Sequence, residues 1–140
     1  DLLIYLTGSK IKSVCCNFLD IDNLKDNASI LVKFQNGSNG VINYFSNGPK
    51  NYSKEDIKVF SQQKVFSINN FNKTEGHGFG FREFSTLRTS QDKGQKNQFA
   101  QLISATEGGE PLIPFDEIVN SAQAALKSIE SFNQKKWIDI

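Results

Sequence analysis

The 140-residue chain has no methionine, one histidine, one tryptophan, two cysteines and three prolines, and its 16 basic and 15 acidic side chains leave a net charge of only +1. Each shortage excludes something. With charge this balanced and spread without long runs, no electrostatic footprint for nucleic acid or an anionic membrane is visible. No stretch approaches the ~20 apolar residues of a membrane helix, and the opening DLLIYLTG is too short and lacks the basic region of a signal peptide. The expectation is a soluble, cytoplasmic protein with no nucleic-acid or membrane partner. Cys15 and Cys16 are neighbours, a poor geometry for a disulfide and the wrong spacing for structural zinc. They read as strand residues in a reducing compartment. A chain that begins at Asp1 and holds no initiator reads as an excised or processed piece of something longer.

What is present is a chain long enough for one domain with a real core. Its clearest pattern runs from Ala28 to Phe60. Ile30, Val32 and Phe34 alternate with Ser29, Lys33 and Gln35, the period of a half-buried strand. Asn36 and Gly37 supply a reversal. A second run sets Val41, Asn43 and Phe45 against Ile42 and Tyr44, until Asn47, Gly48 and Pro49 break it. With a third run at Ile57 to Ser61, the stretch reads as an antiparallel meander.

Around it, Leu2, Leu3 and Leu6 have helical spacing and Gly8 stands where a left-handed residue ends a helix. The segment reads as the tail of a longer helix. Lys12 to Leu19 reads as a strand with Val14, Cys16 and Phe18 on one face, followed by a polar connection, Asp20 to Asn27. Val65 to Phe71 is another strand, Thr74 to Gly78 a turn, and Phe79 to Leu87 a sixth strand with aromatics on both faces, hence one covered on both sides. At Asp92 the period becomes helical, with Phe99, Leu102, Ile103 and Thr106 on one face and Gly108 and Gly109 closing it. Pro114 opens the last helix, whose stripe of Phe115, Ile118, Val119, Ala122, Ala125, Leu126, Ile129 and Phe132 runs for about five turns. This order predicts an α+β fold: a mostly antiparallel sheet of six or more strands with helices packed on one face.

The residues do not assemble a reaction. His77, flanked by glycines in EGHGFGF, has no carboxylate or second histidine at ligand spacing and reads as a turn residue. Gly76, Gly78 and Gly80 lead into a strand, whereas a dinucleotide loop must open a helix. Lys54 and Glu55 stand before a strand as a solvated edge pair or as part of a site. Asp92, Lys93 and Gly94 serve either as a helix cap or as a ligand-facing loop. Trp137 reads as packing. No metal set is found.

Taken in order, DLLIYLTGSKIKSV, NGSNGVINYFSNGPKNYSKEDIKVF, DKGQKNQF, and GGEPLIPFDEI with its later IES resemble the C-terminal domain of the Gfo/Idh/MocA oxidoreductases, in the branch of sugar- or inositol-dehydrogenase-like proteins. That resemblance implies an upstream Rossmann domain binding NAD or NADP, with this domain walling the substrate site and holding subunits together through its sheet. Residues 1–140 would then be one substrate-binding and oligomerisation domain, inactive alone and binding no cofactor itself. Its partners would be its own Rossmann domain, a sugar-like substrate and further copies of the protein. Asp1 matches the aspartate of an H-x-x-D pattern, so the catalytic histidine would precede Asp1 and no catalytic residue would lie in this chain. The family's glycine-rich loop and catalytic lysine would also lie upstream. Lys54 and Glu55 match a lysine-glutamate pair, and Asp92 to Gly94 an aspartate-lysine-glycine. Gln95 replaces the histidine that often follows, which favours positioning over proton transfer. By analogy Asn43, Tyr44, Lys54 and Lys93 bind substrate, Lys93 donating to its hydroxyl or carboxylate oxygens. The alternative is a non-catalytic module that dimerises through the sheet.

Overall fold

The structure is a computed structural model that describes residues 1–19, 26–80, 84–87 and 90–140. In chain order its elements are α1 (Leu2–Thr7), β1 (Ile11–Phe18), β2 (Asn27–Phe34), β3 (Asn39–Phe45), β4 (Asp56–Ser61), β5 (Lys64–Asn69), β6 (Lys73–His77), β7 (Phe84–Leu87), α2 (Gln95–Thr106), α3 (Phe115–Gln134) and β8 (Ile138–Asp139). They form two compact units, Asp1–Gly48 with Ile113–Ile140, and Pro49–Leu112. The fold is α+β, but the expected sheet of six or more strands is instead two antiparallel sheets of four, ordered β3-β2-β1-β8 and β4-β5-β6-β7.

In the first unit, β1 and β2 pair Val14 with Val32, Cys16 with Ile30 and Phe18 with Ala28, so the alternation read from the sequence becomes one continuous apolar face. Ile4 of α1, Ile11, Val14, Val32, Phe34 and Ala124 of α3 form the core. Each such aliphatic side chain fully buried contributes about 1.5–3 kcal/mol. Gly8 ends α1 at φ 60°, its N–H on the Ile4 carbonyl, as its position in the sequence implies. The β2–β3 hairpin turns through Gly37 at φ 89°, with Asn36 Oδ1 accepting the Ser38 N–H at 3.0 Å.

The last helix lies the other way round from its sequence pattern. Its buried residues are Asn120, Ala124, Ser128 and Ser131, while the apolar stripe faces outward, with Phe115 78% and Leu126 70% exposed. The cause is the edge of β1. The two-residue β8 pairs only with Ser13 and Val14, leaving backbone groups on either side for the helix to satisfy. Asn120 Oδ1 accepts the Ile11 N–H at 2.7 Å, and Asn120 Nδ2 donates to the Ile11 carbonyl at 3.0 Å. Ser131 Oγ accepts the Cys16 N–H at 3.0 Å and donates to the Lys136 carbonyl at 2.6 Å. Buried backbone groups left unpaired cost about 1–3 kcal/mol each, so polar side chains occupy the inner face. Phe132, the end of the stripe, does turn inward, edge-on to Phe18 at 5.1 Å.

The second unit corrects three further expectations. The run at Ile57 to Ser61 is a strand, but it pairs with β5 rather than continuing the hairpin; Pro49, with fixed φ and no N–H, lies in the connection that separates the sheets. Thr74 to Gly78 is not a turn, because residues 73–77 are β6, and His77 ends that strand opposite Val65. The turns before and after β5 use Gln62 and Gln63 at φ 50° and 63°, and Asn70 and Phe71 at φ 48° and 52°. Neither contains glycine, so neither was legible as a type I′ reversal. Of the sixth strand, Phe84–Leu87 forms β7 at the sheet's outer position, where Phe84 stays 40% exposed rather than covered on both sides. The rest of that reading falls partly on residues 81–83, and the polar connection partly on residues 20–25, outside the described residues.

Candidate functional site

Three loops of the second unit converge at the start of α2. Asn70 N–H donates to the Glu55 carbonyl at 2.7 Å, and Asp92 N–H donates to the Phe71 carbonyl at 3.2 Å. Gln91 Nε2 donates to both Asn70 oxygens, backbone and side chain, at 2.9 Å. Ser53 Oγ bridges the Glu55 carbonyl and Asn69 Oδ1, each at 3.3 Å. Asp92 Oδ1 accepts the Gly94 N–H at 2.9 Å. Gly94 takes φ 78° as the residue before α2, a conformation that glycine adopts without strain.

This lattice holds Lys93 over Glu55. The ammonium donates to Glu55 Oε1, and it stands 5.9 Å from the Phe71 ring centroid. The two side chains are 35% and 31% exposed. Glu55 Oε2 is buried and has no hydrogen-bond partner. An ammonium has three donors and one is committed to Glu55, so two remain for oxygens outside the pair. The arrangement presents a positive, oriented donor at a partly open surface. It offers no nucleophile and base.

Lys93 is therefore in the cluster, and Glu55, left off the set of substrate contacts, is its partner; the lysine-glutamate match was the signal that pointed to it. Lys54 is exposed beside Glu55. Asn43 and Tyr44 belong to β3 of the first unit, on opposite faces: Ser29 Oγ donates to Asn43 Oδ1 at 2.9 Å, and Tyr44 is 61% exposed. Two open clefts also lie on the first unit. One of about 380 Å³ is lined by Asn17, Asn27, Ser29 and Phe45 among others. The second, about 290 Å³, is bordered by Lys12, Lys33 and Gln35. Among the described residues no group of three His, Cys, Asp or Glu could hold a metal ion, and no helix is long and apolar enough to cross a membrane.

Among the described residues, three carboxylates are held below their ordinary range by a lysine bonded to each: Glu75 by Lys73, Asp116 by Lys10 and Glu130 by Lys127. Burial, with Cys15 adding to it, pushes the Cys16 thiol up. Lys33 Nζ lies 4.4 Å from the Trp137 ring centroid, a surface cation–π contact.

No protein-family model and no curated protein matches this sequence. Solved structures do match its fold. An oxidoreductase structure from Thermotoga maritima superposes with a TM-score of 0.78 at 14% identity, over 99% of this chain and 43% of that one. The aldose-aldose oxidoreductase of Caulobacter crescentus gives 0.75 at 14% identity, over 99% and 44%. The WlbA dehydrogenase of Bordetella pertussis, solved with NADH and UDP-GlcNAcA, gives 0.61 at 16% identity, over 99% and 41%. The chain thus spans less than half the length of the oxidoreductases whose fold it shares.

Proposed function

We propose that this chain is the C-terminal substrate-binding and oligomerisation domain of an NAD(P)-dependent oxidoreductase that acts at a carbinol carbon of a sugar, cyclitol or nucleotide sugar. The observation that carries the reading is the match of 99% of this chain to 44% of an aldose-aldose oxidoreductase. A nucleotide-binding domain of ~100–200 residues would fill most of the remainder.

The cofactor belongs to that upstream domain. A dinucleotide pyrophosphate takes a strand, a glycine-rich turn and a helix N-terminus within a parallel βαβ unit. Every strand pairing in the described residues is antiparallel, so the residues present do not form that cradle. The contribution of this chain is to bind and orient substrate. Lys93, steadied by Glu55, donates to substrate hydroxyl or carboxylate oxygens, and exposed Lys54 is offered as a further substrate contact on the family resemblance. Asn43 and Tyr44 are offered as substrate contacts of the first unit on the family resemblance. Catalytic proton transfer is assigned to groups upstream of Asp1.

The test is calorimetric titration of the longer polypeptide with NAD and NADP at millimolar concentration. Saturable binding of either is expected, and no binding of either overturns the proposal. A source-cell polypeptide no larger than this chain's 15.7 kDa overturns it too.

A second reading, a non-catalytic module that dimerises through its sheet, draws on the second unit. Pairing places Ile57, Val59, Phe66, Ile68 and Phe84 on one face. None of them is fully buried, nor is any other hydrophobic side chain described in residues 49–112. Such a face suits an interface. Light scattering that finds a monomer at high concentration removes this reading.

A further inference from the structure

The sequence holds three Asn-Gly pairs, Asn36–Gly37, Asn39–Gly40 and Asn47–Gly48. At such a pair the glycine nitrogen is a competent nucleophile toward the asparagine side-chain amide, because glycine puts no side chain in the way and leaves the backbone free to turn. The five-membered ring that closes needs the asparagine Cβ and the next backbone nitrogen nearly eclipsed about the Cα–C bond. The three pairs differ in how firmly each is kept from that geometry.

Asn36 is tied at both ends of its amide. Its Oδ1 accepts the Ser38 N–H and its Nδ2 donates to the Thr7 carbonyl, each at 3.0 Å. The attacking group is engaged as well, since the Gly37 N–H donates to the Phe34 carbonyl at 3.1 Å. Asn39 and Gly40 belong to β3, opposite Lys33 and Val32. The extended ψ of a paired strand turns the next nitrogen away from the side chain, and Gly40 is packed against Leu3 and Phe34 besides. Asn47 and Gly48 have neither restraint. Both are exposed, in the bend that follows β3. Among the described residues neither the Asn47 amide nor the Gly48 N–H has a hydrogen-bond partner. Apart from its chain neighbours, nothing lies within 4 Å of where a Cβ on Gly48 would stand.

We propose that Asn47 is a self-modification site, deamidating to aspartate and isoaspartate while the other two pairs resist. The Gly48 nitrogen bonds to Asn47 Cγ, the bond from Cγ to Nδ2 breaks and ammonia leaves, closing a succinimide. Water then opens the ring at either carbonyl. The chemistry needs only the chain and water, whatever substrate the protein takes. A neutral amide becomes a carboxylate, so the formal net charge falls from +1 to 0. The place gives the change two consequences. Gly48 ends the first unit's leading segment and Pro49 begins the second unit, so isoaspartate, which routes the backbone through Cβ, lengthens the connection between the units. Asn47 also borders the cleft lined by Asn17, Asn27, Ser29 and Phe45, so the new carboxylate falls beside uncharged side chains.

Incubation of the chain at neutral and at mildly alkaline pH tests this, with peptide mass mapping and fragmentation that localises each change and tells isoaspartate from aspartate. Conversion at 47 at least ~10-fold faster than at 36 or 39 is expected in the folded chain, since the restrained positions must open locally first. It should quicken with pH, because the attacking nitrogen has to shed its proton. In concentrated urea the three rates should converge. Equal rates at the three positions in the folded chain overturn the proposal, as does an intact position 47. A preference for 47 that persists undiminished in urea overturns it too, because the sequence around the pair would then set the rate. Gly48→Ala meets open space at a φ outside the left-handed region, so its urea midpoint should stay unchanged. Conversion at 47 should nevertheless slow by at least ~10-fold, the added methyl standing beside the attacking nitrogen. An unchanged rate in that variant overturns the mechanism.

Discussion

Asn120 of α3 holds both backbone groups of Ile11, accepting its N–H at 2.7 Å and donating to its carbonyl at 3.0 Å across 109 residues of sequence. The pairing falls where the β1–β2 register slips, between Ile11 and Ser13, so the side chain substitutes for a strand neighbour at an irregularity.

Asn120→Ala should therefore destabilise the chain by about 2–4 kcal/mol, since two buried backbone groups lose their partner. Asn120→Asp keeps the acceptor but loses the donor and adds a charge, and should cost at least as much at neutral pH. Urea denaturation followed by circular dichroism measures both. A loss below ~0.5 kcal/mol for Asn120→Ala would remove this account of why α3 turns its polar side inward.

Gly76 of β6 has no room for a side chain, because an added Cβ would collide with the Phe84 ring and come within 3.0 Å of Phe79. Gly76→Ala should destabilise the second sheet by about 1–3 kcal/mol, the usual cost of overpacking. Phe84→Leu should relieve part of that loss in the double variant, a coupling measurable as a double-mutant cycle. Additive losses would mean that the two positions do not press on each other.

On the proposed function, Lys93→Ala in a polypeptide that also carries the nucleotide-binding domain should raise the KM for a sugar substrate about 10-fold with a smaller change in kcat, the pattern of a group that binds without joining the chemistry. Stability should change by less than ~1 kcal/mol, because the Lys93–Glu55 pair is partly exposed. Glu55→Gln should raise KM less than Lys93→Ala. Steady-state kinetics decides it, and an unchanged KM for Lys93→Ala removes the lysine from the substrate site.

Acid should weaken the fold through the carboxylates that lysines hold ionised. Asp116 is lowered chiefly by its bond from Lys10, and Glu130 by its bond from Lys127. A carboxylate whose pKa is depressed by folding contributes stability that is present above its unfolded pKa. That stability is lost as pH falls through the lower folded value. The urea midpoint should thus drop between about pH 5 and pH 3, and Lys10→Met should flatten part of that drop. Identical pH profiles for Lys10→Met and the unsubstituted chain would count against the Asp116 contribution.

The adjacent thiols should differ in reactivity. Cys15 is half-buried, whereas Cys16 is buried and its pKa is raised by that burial. Alkylation near neutral pH should modify Cys15 at least ~10-fold faster, because burial both hides the Cys16 thiol and resists its ionisation. Peptide mapping after brief exposure to iodoacetamide gives the ratio.

Much of the local structure was legible. The alternation of Ile30, Val32 and Phe34, the reversal at Asn36 and Gly37, and the helix end at Gly8 are decided by neighbours in sequence, and each appears where its pattern lies. The orientation of α3 was not. A helical stripe shows that one face is apolar, but the claim on the other face came from unpaired groups at Ile11 and Cys16, more than 100 residues away. The partition into two sheets was hidden for a related reason, since alternation marks strands without naming their partners. The turns at Gln62–Gln63 and Asn70–Phe71 escaped because they place side-chain-bearing residues in the left-handed region. At the candidate site, Lys93 was read from its motif, but its contact with Glu55 spans 38 residues and has no local signature.

The first unit is discontinuous: Asp1–Gly48 is completed by Ile113–Ile140, with the whole second unit between. During synthesis at ~5–20 residues per second, β1, β2 and β3 leave the ribosome several seconds before the helix that closes their apolar face. In that interval Val14, Val32 and Phe34 have no cover from α3, and the Ile11 and Cys16 backbone groups lack their side-chain partners. The second unit, whose strands pair with near neighbours, is free to form first. Completion of the first then waits for the last 28 residues, so a chain stalled shortly after Leu112 presents an open sheet to whatever chaperone or aggregate it meets.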